Sequence, residues 1–202
     1  MTVTSSQRAS LIEKYRYINV DYDWWDSVYD MFREDMKAVG IGVQRMYFSG
    51  FCSQGDGACF VGSLDSAHTY LDRHHKDQFP MIRKLLEAGG GLYVRCEHSG
   101  RYYHENCTSF WVDADTLTGM IDQPTEFHEQ VVEQWQELLE DELSDFEKAV
   151  IDQWREYMGQ LYSNLEEEYD HLTSDEAVWD AIEANELDQD LEDDEDEYDE
   201  AA

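Results

Sequence analysis

Residues 123–172 read QPTEFHEQVVEQWQELLEDELSDFEKAVIDQWREYMGQLYSNLEEEYDHL. Phe127, Val131, Trp135, Leu138, Leu139, Leu143, Phe146, Val150, Trp154, Met158, Leu161, Leu165, Tyr169 and Leu172 keep an apolar stripe going, largely in steps of three and four. That is the period of one helix face. Gln123-Pro124-Thr125 opens the pattern, no proline follows within it, and Gly159 is its single glycine. The stretch fits one helix of roughly 45 residues, about 68 Å at 1.5 Å per residue, or two that break near Leu143-Ser144. An element that long outruns a domain this small, so part of it must project, pair with a second copy, or fold back. Thr173 with Glu176 three residues later is a capping box, and it predicts a last helix over 176–187. After Leu187 the apolar pattern fades into DQDLEDDEDEYDE. Like-charge runs this dense are disordered and repel themselves.

Charge sets this region apart. Residues 1–120 carry a net −4 and residues 121–202 a net −29, together the −33 of the chain. Such a charge opposes approach to anionic lipid, DNA or RNA, so neither a membrane nor a nucleic acid is the expected direct partner. Two readings of the acid compete. One is a solvated helix face that keeps the protein soluble. The other is electrostatic imitation of nucleic acid, since duplex DNA presents one charge per about 1.7 Å of axis. The carboxylates that would meet a basic partner are Glu133, Glu137, Glu140, Asp141, Glu166, Glu167, Glu168 and Asp170 on the helix. Glu192, Asp193, Asp194, Glu195, Asp196 and Glu197 continue the set in the tail. Trp135, Trp154, Tyr157, Tyr162, Tyr169 and Trp179 interleave with the acid and would supply anchoring contacts.

The chain has 202 residues, 42% of them hydrophobic. One domain, or one with an appendage, is the expectation, and the apolar content suffices for a core. MTVTSSQRAS at the N-terminus lacks the apolar segment of a secretory signal, and no apolar run approaches about 18 residues. A soluble, cytosolic protein is expected. Cys52, Cys59, Cys96 and Cys107 form no C-x-x-C pair, and in a reducing compartment they default to free, buried thiols.

The first half reads as mixed. Residues 5–17 predict a short helix capped by Ser5 or Ser6. Trp25, Val28, Tyr29, Phe32, Met36 and Val39 mark a second helix face, and Gly40 a stop. Trp24 and Trp25 pack in the core or line a groove. Residues 43–51 and 58–64 predict a hairpin about the loop Gln54-Gly55-Asp56-Gly57. That loop is a plain turn or an anion- or cation-binding loop. A short helix over 65–75 and another from Pro80 follow, the latter ended by Gly89-Gly90-Gly91. His74 and His75 are adjacent, so on a helix they diverge and are expected to be solvated.

Residues 92–113 carry the clearest strand pattern. With Ser99-Gly100 as a two-residue turn, paired residues sum to 199. Leu92, Val94, Cys96 and His98 then share a face with Arg101, Tyr103, Glu105 and Cys107. The other face carries Tyr93, Arg95, Glu97, Tyr102, His104 and Asn106. It is either a solvent face or a floor on which Gln54, Asp56, Arg95, Tyr102 and His104 converge on a ligand. A one-residue slip dissolves that set. Cys52, Cys59, Cys96, Cys107, His98 and His104 lack the close ligand pairs of structural zinc, so no metal is expected. No cysteine is singled out as a nucleophile either.

DYDWWDSVYDMF, YFSGFCSQGDGACFVGS, GRYYHENC and YDHLTSDEAVWDAIEANE resemble segments of a family of small bacteriophage and prophage accessory proteins. Some members carry the label "antitoxin of a toxin–antitoxin system". The resemblance spans most of residues 20–186. It implies a protein acting inside a bacterial host, and it assigns no activity to particular residues.

The expectation is therefore an α+β fold: a small antiparallel sheet of two hairpins packed with helices, plus a long acidic C-terminal helical arm. The sequence divides at 1–122, 123–186 and an acidic tail 187–202. The favoured function is a phage-encoded, non-enzymatic inhibitor of a basic host protein that handles nucleic acid, such as a defence nuclease. A small-molecule or nucleotide site at the QGDG loop and second hairpin is the alternative, and an antitoxin against a basic toxin is a third. No cofactor is called for.

Overall fold

The computed structural model describes residues 3–121 and 129–190. The fold is α+β. Helices α1 (Ser5–Lys14) and α2 (Asp26–Ala38) lead into strands β1 (Ile41–Ser49) and β2 (Gly57–Leu64). Helices α3 (Ala67–His74) and α4 (Pro80–Glu87) connect these to β3 (Tyr93–His98) and β4 (Thr108–Asp113). Helices α5 (Asp115–Ile121), α6 (Glu129–Leu172) and α7 (Asp175–Ala184) follow, with 3-10 turns at Ile18–Val20 and Leu187–Asp190. The strands form one antiparallel sheet in the order β1-β2-β3-β4. The two hairpins join through Gly62 opposite Cys96 and Ser63 opposite Arg95.

Packing groups the chain into two compact units, one of residues 29–163 and one of residues 1–28 with 164–202. This grouping follows contacts, not the composition boundary at 122/123. In the second, α1 and α7 bury Leu11 and Ile12 against Val178 and Ile182, with Tyr15, Ile18, Trp179 and Leu187 around them. Asn19 ties this layer down by donating to the carbonyls of Leu172 and Ala177 at 3.0 and 3.1 Å. The cap of α1 is Thr4, not Ser5 or Ser6. Its hydroxyl accepts from Gln7 N and its own amide donates to Gln7 Oε1, a full capping box.

The larger unit is built on the inner sheet face. Phe60 packs on Phe32 and Trp154, and Phe110 packs on Trp154. Phe32 and Met36 are buried as the α2 stripe predicts. α6 runs unbroken through Leu143-Ser144, so one helix is formed, not two. Its buried positions in this unit recur from Leu139 through Phe146, Val150, Trp154 and Met158 to Leu161.

The second hairpin differs from the two-residue turn. β3 and β4 pair with Tyr93 opposite Asp113, Arg95 opposite Trp111 and His98 opposite Thr108, leaving residues 99–107 as a long connection. The core face decides the register. In the shorter pairing Val94 would face Glu105, whereas the observed one sets Val94 against Val112 and Cys96 against Phe110. Aromatic stacking holds the freed loop. Tyr103 lies on Tyr47 at 5.2 Å and near parallel, with His98 beside both. Ser99 N also donates to Cys107 O at 2.8 Å.

His74 and His75 are not a solvated pair. His75 is buried, and both rings pack around Tyr70 in a cluster with Phe79, Phe146 and Tyr157.

Candidate functional site

The solvent side of α6 in the larger unit carries Glu133, Glu137, Glu140, Asp141, Asp145, Glu147, Asp152 and Glu156, all exposed. Glu133, Glu137 and Glu140 follow the four-then-three step that keeps side chains on one face. Lys148 is the one exposed base among them, and its Nζ lies 3.2 Å from Asp145. Among the described residues no other carboxylate of this group is in an ion pair, so the face presents net negative charge to solvent. Trp135 at 40% and Leu138 at 54% exposure interrupt it. Leu138, Asp141 and Asp145 border an open depression of about 600 Å³ whose far wall is Gln78 and Phe79.

Glu142 belongs to a different role. Its carboxylate turns inward and accepts from Met81 N and Ile82 N at 2.9 and 3.0 Å, at the first turn of α4. Phe79 there has positive φ and offers no side-chain cap. A carboxylate from α6 thus satisfies amides that the local sequence leaves open.

The interleaved aromatics divide. Trp154 and Tyr157 are core residues, at 0% and 8% exposure, and cannot anchor a partner. Trp135 remains at the surface of this unit. In the smaller unit Tyr169 packs on Trp24, and Trp179 is covered by the guanidinium of Arg8 at 4.6 Å. That unit carries Glu167 and Asp170 exposed, with Glu166 and Glu168 half-buried. Arg16 is directed instead at Asp175 and the Thr173 carbonyl. Glu192, Asp193, Asp194, Glu195, Asp196 and Glu197 lie outside the described residues.

The candidate ligand residues come together only in part. Asp56 Oδ2 accepts from Cys52 N at 3.0 Å and Ser53 N at 2.7 Å, so the carboxylate closes its own loop. Gly55 has φ +102, and a Cβ there would meet the Tyr102 ring at 3.3 Å; one at Gly57 would meet the His104 backbone at 2.9 Å. The loop at residues 50–56 and the connection at residues 99–107 therefore pack together, bringing Gln54, Asp56, Tyr102 and His104 to one end of the sheet. Arg95 is elsewhere. It pairs with Glu97 and stands beside Ser63, six residues along β2 from Gly57, or about 20 Å at strand rise. The corrected register separates Arg95 from the loop. His104 Nδ1 lies 2.9 Å from Glu105 Oε2 and 3.2 Å from Asn106 N, so it donates to the first when it carries a proton and accepts from the second when it does not.

Burial pushes the thiols of Cys59 and Cys96 up to about 12, while Cys52 is exposed and Cys107 half-buried. The expectation of four buried thiols thus fails at Cys52. Among the described residues no three His, Cys, Asp or Glu side chains are grouped to hold a metal ion, and no helix is long and apolar enough to cross a membrane.

The sequence profile of a family described as a domain of unknown function, DUF8835, matches residues 24–175. No curated protein and no solved structure matches the chain.

Proposed function

The chain belongs to the DUF8835 family, and from its own surfaces we propose that it works by binding: the acidic face of α6 occupies the basic groove of a protein that handles nucleic acid. One observation carries this reading. Glu133, Glu137, Glu140 and Asp141 are exposed and outside any ion pair among the described residues, and Trp135 and Leu138 stand among them. A groove built for phosphates is rich in Arg and Lys, and carboxylates on a rigid helix meet it without an ordering cost. Exposed apolar side chains add the desolvated contact that charge alone lacks. The resemblance to phage accessory proteins supports a bacterial host protein as target, acting in the host cytoplasm, with a defence nuclease as the favoured form. Neutralising a basic toxin is the same chemistry with another partner. Asp56 is spent on its own loop and Arg95 stands apart, so the loop-and-hairpin ligand site is the weaker reading.

The experiment is capture from bacterial lysate by the full chain, with elution by salt or by short duplex DNA. The expected catch is a nucleic-acid-handling protein released by either. The variant Glu133→Gln, Glu137→Gln, Glu140→Gln, Asp141→Asn should lose it. Capture that survives both the variant and the competing duplex would remove the proposal.

A further inference from the structure

We propose that β4 is a docking edge, to which an extended lysine- or arginine-rich segment of a protein partner adds as a fifth strand, with one cationic side chain over Trp111 and another at Asp113.

Both β1 and β4 are terminal strands of the sheet, but they are defended differently. β1 is irregular at Gln44, where the register shifts between Val43 and Arg45, and both Gln44 and Arg45 are exposed. A bulge and a charge are the usual devices that stop another strand from adding. β4 has neither. Its pairing with β3 runs without a shift, and Thr108 to Val112 contain no charge and no proline. Among the described residues, the backbone of Ser109 to Val112 makes no hydrogen bond outside the sheet. The outward row of amides and carbonyls is therefore a template.

The outer face beside this edge carries recognition chemistry. Trp111 is 52% exposed and Tyr93 60%. Among the described residues Trp111 stacks on no other ring. An open depression of about 390 Å³ is bordered by Tyr93, Arg95, Trp111 and Asp113. Arg95 is already matched by Glu97; Asp113 accepts from Asp115 N at 3.0 Å through Oδ1, and among the described residues no cation pairs with it. Trp111 and Asp113 are two residues apart on one strand face, the spacing at which an added strand places alternate side chains. An indole face and a carboxylate at that spacing suit two successive cations.

A second copy is the poorer occupant. The net charge of −33 opposes self-association. A two-fold pairing centred on Trp111 would also bring no base to Asp113, since Ser109 would lie opposite. The inference rests on the proposed function only for the sign of the partner's charge, because it uses β4 and not α6.

The test uses the full chain and the capped peptide TKVKVKT. The controls are TEVEVET, of opposite charge, and TKPKPKT, which keeps the charge but cannot hydrogen-bond as a strand. Hydrogen exchange reports the outward-pointing amides, every second one from Ser109 to Val112. TKVKVKT should slow their exchange by about tenfold, the mark of newly bonded edge amides. Neither control should. Trp111→Ser should weaken TKVKVKT about threefold, the size of an exposed cation–π contact, while the four-site α6 variant should leave the protection intact. Absent protection, or equal protection by TKPKPKT, overturns the proposal. Protection that grows with protein concentration and no peptide assigns the edge to a second copy, which also overturns it. Loss of protection in the α6 variant alone moves the peptide to α6, and β4 then has no role.

Discussion

The hydroxyl of Tyr157 and Nε2 of His74 stand 2.8 Å apart, a contact between α6 and the end of α3 across 83 positions of sequence. Burial pushes the Tyr157 hydroxyl up to about 12, so it keeps its proton. Desolvation holds His74 below its ordinary value, and the charges of His75 and Arg73 push the same way. Burial lowers His75; its hydrogen bond to Gln78 opposes this and the charge of Arg83 adds to it, and among the described residues its Nε2 has no hydrogen-bond partner.

A pH dependence follows from this cluster. Both histidines bind protons less readily folded than unfolded, so the unfolded chain takes up protons first as pH falls. Their contribution to stability is complete above the unfolded value near 6.5 and is lost as pH drops through the lower folded values. The urea midpoint should be level above about pH 6.5 and decline below it, before most carboxylates titrate. The double variant His74→Gln, His75→Gln should flatten that decline. A wild-type midpoint unchanged from pH 7 to pH 5 would count against the buried, neutral pair.

Glu142 is the second case of help across the chain. Its carboxylate serves two amides of α4, in place of the missing local cap. Glu142→Ala should cost about 1 kcal/mol, the usual value of an N-terminal cap. Glu142→Gln keeps an acceptor and should cost less. Urea unfolding gives the energies, and faster exchange of the Met81 and Ile82 amides locates the loss. Equal stability of all three proteins would mean that water serves those amides as well.

Local signals were legible in the sequence and distant partnerships were not. The α2 stripe, the Gly40 stop, the Pro80 helix start and the first hairpin all depend on residues within a few positions. The second hairpin escapes a local reading because Ser99-Gly100 is a good turn pair, while the register is set by what Val94 and Cys96 face in the core. Nothing near Leu11 announces Val178, and nothing near His74 announces Tyr157. The acid of α6 was visible as charge. That Glu142 turns inward while Glu133, Glu137, Glu140 and Asp141 do not could be read only once α4 was in place. The same holds for Trp154, whose helical phase alone could not say whether it faced the sheet.

The QGDG loop gives a third prediction. Asp56→Ala removes the acceptor of two loop amides and should cost about 1 to 2 kcal/mol. Gly55→Ala meets both the positive φ and the Tyr102 ring, a strain of about 1 to 3 kcal/mol. Thermal unfolding should rank both below wild type. If the loop is structural, exchange of the amides at residues 50–56 should rise in each variant. A destabilisation below a few tenths of a kcal/mol in both would show the loop to be loose already.

Cysteine chemistry separates the two faces of the sheet from its loops. Cys59 and Cys96 are fully buried, and desolvation raises both to about 12. At pH 8 such a thiol holds about a thousandth of the thiolate of an ordinary one. Cys52 is exposed at the tip of the first hairpin. In the native protein a thiol reagent should label Cys52 in a fast phase, and Cys59 and Cys96 only after urea is added. Cys52→Ser should delete the fast phase and leave the unfolding midpoint unchanged. Peptide mapping of the label checks the assignment. Cys59 lies at the end of the sheet where the connection at residues 99–107 folds over β2. Labelling of Cys59 as fast as Cys52 would therefore show that this connection opens in the native state, and the packing of Tyr103 on Tyr47 would have to be weak enough to let it.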